Sequence, residues 1–304
     1  MLPPKPVYLP FGDAQWRLKL GLKPLKLEDW IEIDEEFTQY LTLKTELLQQ
    51  HHAKVFDSLP SSLEAQQEVL DLLLAHLPER FPDYYRRQGN FIHNLLTEQV
   101  WDISDFAANP LDLAGRLVQE DLCILQSSPE GYILTAGSVC LPFHWWFPDK
   151  LGKSVTQMHQ RVPSYGEKLE HPVNNFFDRL RFTHPGYRLN WAMMDNPQLC
   201  LAVQENSISP NEPITVENIG QTLWIRVERQ TLRRLEKSHG ILFTIRTYLY
   251  PLAILESKPA MAHGFLAEMQ QLPPSMQHFK ELTTIQTALV AYLEKISPHS
   301  TSCL

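Results

Sequence analysis

The amino-acid sequence predicts an α+β fold: a five-stranded antiparallel sheet, interrupted by a helical insert after its second strand and flanked by N-terminal and C-terminal helices. Three observations carry this. Apolar residues recur at helical spacing in residues 25–77 and again after Pro259. The stretch "DLCILQSSPEGYILTAGSVCLP" holds two β-type runs joined by turn residues. Three more runs rich in aromatic and β-branched residues follow, "YRLNWAMM", "TLWIRVERQTL" and "ILFTIRTYLY".

The first residues are Pro-rich with single apolar anchors, Tyr8, Phe11 and Trp16, and read as an extended arm laid over the surface. In "LKLEDWIEIDEEFTQYLTLKTELLQQH", Trp30, Ile33, Phe37, Leu41, Leu47 and Leu48 mark one helix, with acidic residues near its N-terminus where the helix dipole favours them. "SSLEAQQEVLDLLLAHL" is a second helix, capped by Ser61 or Ser62 with Glu64 placed for a capping box, and ended by Pro78 and Pro82. The hairpin with its "SSPEG" turn comes next. Residues 148–185 form the insert, with a helical piece in "PVNNFFDRLRF". After the three later strands, Pro273-Pro274 splits the tail into two helices. The division is an arm and helices over 1–112, a sheet domain over 113–256 and C-terminal helices over 257–304.

With 304 residues, 43% hydrophobic and 20% charged, the chain fits a globular protein with a real core. A net charge of -8 argues against a nucleic-acid partner. The start has no signal-peptide pattern, and no apolar run approaches the length that spans a bilayer. Cys123, Cys140, Cys200 and Cys303 are too scattered for a zinc knuckle and suggest reduced thiols in a cytoplasmic protein.

Strand alternation sets which side chains share a face. Leu223, Ile225 and Val227 oppose Trp224, Arg226, Glu228 and Gln230. Phe243 and Ile245 oppose Thr244, Arg246 and Tyr248, and Arg188 and Asn190 oppose Tyr187, Leu189 and Trp191. Such polar rows are either a solvated sheet face or a polarised pocket wall made of Arg226, Glu228, Arg246 and Tyr248. Among the histidines, His51 and His52 flank helix ends and read as solvated. His76, His93, His263 and His278 fall on polar helix faces, and His184 marks a turn. His144 is either packed among aromatics or in a pocket. His159, in "KLGKSVTQMHQRVP", is either a core hydrogen-bonding group or a metal ligand. There is no H-x-x-x-H pair, P-loop, G-x-S-x-G elbow or G-x-G-x-x-G fingerprint.

A five-stranded antiparallel sheet with a helical insert after strand two is the layout of a PAS domain. The collected blocks resemble the haem-dependent oxidative N-demethylase alpha-subunit-like family. These are "LGLKPLKLEDWIEID", "VQEDLCIL", "KLGKSVTQMHQRVP", "RLNW", "RVERQTLRRL" and "ILFTIRTY". The resemblance implies a PAS-like fold holding haem b. It implies oxidation of a small secondary amine, dimethylamine in the characterised case, to a primary amine and formaldehyde. Oxygen is then the oxidant, and NADPH electrons arrive through separate flavin and iron–sulfur reductase subunits, with a folate-binding subunit taking the formaldehyde. His159 matches the family histidine and becomes the expected iron ligand. Lys153 and Arg161, with Lys150, Arg179 and Arg181, lie near it as cations for the propionates. Trp145, Arg188, Asn190 and Arg246 are further expected cofactor contacts. Glu228, with Tyr248 or Arg226, is expected to hold the substrate ammonium. The alternative is a haem module that senses gas or redox state without turnover. The chain departs from the family pattern at Phe143, His144, Arg161 and Glu236, which bears on which amine fits.

Overall fold

A computed structural model describes residues 2–143, 145–200 and 213–297; His144 and Cys303 lie outside them. All five expected strands form: β6 (Asp121–Ser128), β7 (Gly131–Ser138), β8 (Gly186–Met194), β9 (Trp224–Arg234) and β10 (Ile241–Pro251). They are the inner part of a seven-stranded antiparallel sheet, not the whole of a five-stranded one. The order is β1-β8-β9-β10-β6-β7-β2. Strand β1 (Lys23–Pro24) adds to one edge, against β8, and β2 (Phe56–Ser58) to the other, against β7. A second sheet joins β3 (Tyr85–Gln88), β4 (Phe91–Asn94) and β5 (Gln99–Asp102). These added strands are two to four residues long. That is too short for alternation to stand out from a polar sequence.

The first expected helix is shorter than its apolar spacing suggests, running only over Phe37–Gln50 after a turn at Leu27–Asp29. Residues 30–34 are instead spent on tertiary contacts: Trp30, Ile31, Ile33 and Asp34 are all buried. The second helix, Leu63–Arg80, follows a Pro60–Ser62 turn and has no capping box. It passes through Pro78, which removes one backbone donor from the last turn, and ends at Arg80. The insert contains Val155–Met158, Tyr165–Lys168 and Glu170–Arg179. Among the described residues the tail holds three helices, Pro259–Gln271, Pro274–Phe279 and Gln286–Ile296, where two were expected.

Register assigns the layers. Leu125, Leu232, Ile241 and Cys123 pack against Val155, Tyr165, Val173 and Phe177 of the insert. On the opposite sheet face, Leu122, Ile124 and Leu242 meet the N-terminal helices. Ile225, Val227, Tyr248 and Tyr250 there meet the C-terminal ones. The molecule is insert, sheet, terminal helices. The arm lies over the third layer, Phe11 stacking on Phe265 with ring centres 4.2 Å apart.

Buried charge holds the sheet to the N-terminal segment. Arg246 donates to Asp34 at 2.9 Å, both being essentially inaccessible, and its guanidinium lies 3.9 Å from the Tyr40 ring centre and 4.6 Å from that of Tyr248. Burial disfavours the cation, but Tyr40, Tyr248, Asp34 and Glu120 outweigh that and raise its pKa. Asp34 also accepts from Gln119 and from the backbone of Glu36. Beside it, Glu32 takes hydroxyl hydrogen bonds from Tyr248 and from Tyr8 of the arm, and pairs with Arg229 at 3.4 Å. The β9–β10 turn is fastened separately: Glu68 accepts from the backbone of Glu236, Lys237 and Ser238.

Removing one partner of a buried pair strands the other charge. Asp34→Ala is therefore expected to lower unfolding free energy by roughly 3–5 kcal/mol, read as a drop in the urea midpoint. Gly264→Ala is expected to free the arm, since a Cβ there would meet the Phe11 carbonyl oxygen at 1.7 Å. Limited proteolysis within residues 2–20 is the measurement.

Candidate cofactor and substrate site

His159 is placed by a single helical turn. Ser154 caps it, accepting from the Gln157 backbone at 3.2 Å while the Gln157 side chain accepts from the Ser154 backbone at 2.8 Å. Ser154 also bridges to Ile133 of β7, so the turn is tied to the sheet. His159 ends the turn, and its Nδ1 lies 2.8 Å from the Val155 carbonyl oxygen. A carbonyl only accepts, so Nδ1 carries the proton and Nε2 keeps its lone pair. The ring stacks on Tyr165 with centres 4.8 Å apart and planes 11° from parallel.

Facing the insert, β8 and β9 carry the polar row. Asn190 pairs with Glu228 and Arg188 with Gln230 across the ladder, so all four share a face. Glu228 is held on both oxygens: Oε1 lies 3.5 Å from Arg226 Nε, and Oε2 lies 2.9 Å from Gln230 Nε2 and 3.5 Å from Asn190 Nδ2. Arg226 itself is buried. It donates to the carbonyls of Leu199 and Leu141 and to the Thr247 hydroxyl, and it lies 5.2 Å from the Phe143 ring centre.

His159 is exposed, and Arg188 and Lys280 are half-exposed. Yet desolvation is the largest influence on each, lowering the pKa of all three, that of Lys280 to about 8. Each is therefore partly shielded from water by neighbouring atoms. Electrostatic influence links them: Arg188 acts on His159 and on Lys280, and Glu228 on Arg188 and Lys280. Arg188 Nε is buried without a hydrogen-bond partner among the described residues. Lys150, which donates to the Met158 carbonyl, feels Lys153 and Arg161, so these three cations gather beside His159.

The expected residues separate into two groups. His159, Arg188, Asn190, Glu228 and Arg226 come together on the insert side, with Lys153 and Arg161 exposed nearby and Trp145 packed against the insert's core. Arg246 and Tyr248 do not join them. Glu228 is opposite Thr247 on β10, so Tyr248, opposite Val227, points to the terminal-helix face, where it bonds Glu32. Side chains alternate, and a one-residue difference in register decides the face. Arg181 lies apart from them, lining a recess with Tyr132, Asp178 and Arg234. His52 is not simply solvated, lying 2.7 Å from Asp112, and His76 leaves the polar face to pack on Trp30. Lys280 was missed: nothing in a polar tail residue signals that it crosses to the β8 edge.

The fold is a mixed α/β arrangement around a large antiparallel sheet, with His159 ending a helical turn on the insert side of it. The chain matches, over residues 21–290, the family described as haem-dependent oxidative N-demethylase, alpha subunit-like. It belongs to that family. The family name describes a haem oxidoreductase and one subunit of a larger assembly. No helix of the described residues is long and apolar enough to cross a membrane.

The lowered histidine pKa values set an acid limit. Desolvation, with Arg188 and Lys150, holds His159 below the usual value, against the Val155 hydrogen bond; desolvation, with Arg233 and Arg80, takes His76 to about 4. Below the usual histidine pKa, the unfolded chain binds protons that the folded chain does not, so stability falls as pH drops through that window. Haem-free protein is expected to lose stability below about pH 6.5. In urea titrations at pH 7 and pH 5, His159→Gln is expected to lose less.

Proposed function

We propose that this chain binds haem b through His159 Nε2 and uses it to demethylate a small secondary amine such as dimethylamine. The observation that carries this is the His159 tautomer: Nδ1 is committed to Val155, and Nε2 is left with its lone pair on the side of the sheet that Arg188 also faces. The residues present fit the group. A haem needs one protein nitrogen, and among the described residues no cluster of three His, Cys, Asp or Glu side chains offers another kind of metal site. The unpartnered Arg188 Nε, with Lys150, Lys153 and Arg161, suits propionates. The order β7-β6-β10-β9-β8, with the insert between β7 and β8, supports the PAS-like reading.

Haem iron, when bound, supplies oxygen activation and electron acceptance. The chain's own part is binding and orientation. Glu228, its oxygens fixed by Arg226, Gln230 and Asn190, is the acceptor for the substrate N–H bonds. Arg226 spends its donors on backbone carbonyls and acts as a positioning residue rather than touching the amine. Overall, a secondary amine, oxygen, two electrons and two protons give a primary amine, formaldehyde and water. A separate flavin and iron–sulfur reductase subunit supplies the electrons, consistent with the alpha-subunit family name.

Purified protein reconstituted with haem is expected to show a Soret band that shifts with dimethylamine. His159→Ala is expected to lose the ligated spectrum, and an unchanged spectrum would remove the ligand assignment. Glu228→Gln is expected to weaken the amine-dependent shift roughly tenfold or more, the scale of one charge-assisted hydrogen bond.

A further inference from the structure

The proline-rich arm is held on one face of the Pro259–Gln271 helix. Gly264, Glu268 and Gln271 follow one another at helical spacing and share that face. The Phe11 carbonyl packs on Gly264, and the Phe11 ring stacks on Phe265 and meets Trp191 edge-on. Further along the arm, Gln271 donates to the Ala14 carbonyl at 2.9 Å and accepts from the Trp16 amide at 3.3 Å. The chain between these anchors carries Asp13, and it passes over Glu268. Glu268 is only 4% exposed. It takes a hydrogen bond from the Trp191 side chain, and the charged groups that act on it are Asp13 and Lys19 of the arm and Lys280 after the next helix. Asp13 pairs with Lys19 at 3.2 Å on the water side. Lys280 donates to the Trp191 carbonyl at 2.7 Å and lies 3.9 Å from that ring's centre. Beyond Ala14, whose φ is 51°, Leu18, Leu20 and Leu22 pack on the insert's core, and Lys23 pairs with Tyr187 of β8.

We propose that Glu268 and Asp13 form a proton-operated latch for the arm. With a proton on Glu268, an uncharged carboxyl group sits beneath the seated arm. Without it, two carboxylates face each other where little water reaches, and the arm lifts. Burial and then Asp13 push Glu268 up to about 7, against Lys280, Lys19 and the Trp191 hydrogen bond. Lys280 is held to about 8, chiefly by burial, with Glu268 and Glu228 acting against that and Arg188 adding to it. It therefore stays a cation while Glu268 titrates. Once the arm lifts, Glu268 meets water and returns toward the ordinary glutamate value. The seated arm binds the extra proton between that value and about 7. Seating therefore weakens as pH rises through this window, by at most about tenfold per pH unit, and levels off above it. The sense is opposite to that of His159 and His76, which cost stability as pH falls. Because the arm continues across the β8 edge to the insert, unseating it loosens the cover of that edge. The latch does not depend on the haem reading.

Hydrogen exchange of residues 8–16 is measured on full-length haem-free protein at about pH 5.5 and about pH 7.5, corrected for the intrinsic exchange rate, with β9 as the reference for global opening. In wild type, protection of the arm is expected to fall roughly tenfold or more between the two, while β9 does not follow. Glu268→Gln keeps an acceptor for the Trp191 N–H and cannot ionise, so its arm is expected to stay equally protected at both. Asp13→Asn, a change at an exposed residue, is expected to shrink the fall. Infrared difference spectra read the proton itself: a protonated-carboxyl band at the lower pH is expected to fade at the higher pH and to be missing from Glu268→Gln. The latch is overturned by the same pH response in wild type and Glu268→Gln, by an undiminished fall in Asp13→Asn, by the lack of a carboxyl band belonging to Glu268, or by a loss of protection that arm and β9 share.

Discussion

The buried contact between Arg246 and Asp34 is the constraint on which the rest is hung. It brings the segment before the first long helix onto β10. Through β10 it holds β9, whose eleven residues all pair with that strand. A cation taken wholly out of water tolerates little displacement, because its compensation comes from a few fixed partners. Tyr40, Tyr248 and Asp34 are those partners, and each belongs to a block that the family resemblance also picks out or closely adjoins. Residues of the blocks "LEDWIEID", "QED" and "IRTY", with Arg229 of "ERQ", thus meet in one place on the side of the sheet away from His159, while Glu228 and Gln230 of "ERQ" face the insert.

Strands β9 and β10 serve two layers at once. Arg229 and Arg246 point to the terminal helices, while Arg226 and Glu228 point to the insert. The charge lattice that fixes the strands therefore sets the height and register at which Glu228 is presented, without touching it. A substitution in the lattice changes the site through strand position, and one in Glu228 changes it directly.

The strands themselves were legible because aromatic and β-branched runs bounded by turn residues have few other fates. Within each strand, alternation was read correctly. What no single strand carries is its offset from its neighbour, so Glu228 and Tyr248 were grouped although they face apart. The helix before Phe37 misled for a different reason. Trp30 and Ile33 have helical spacing, but the backbone there is used to place Glu32 and Asp34 in the lattice, a demand that comes from residues far along the chain. His159 stood out through the family resemblance rather than through spacing. Its tautomer needed the Val155 carbonyl to be located, and Lys280 needed the course of the tail.

Arg226 has one more consequence. Its guanidinium grips the carbonyl of Leu141, just before the insert, and that of Leu199, just after β8. The chain between them leaves and returns through a single knot. Tying a long loop at its neck removes entropy that the loop would otherwise lose on ordering. That stretch carries both the insert and β8, so loosening Arg226 slackens the cover together with the strand that edges the floor beneath it.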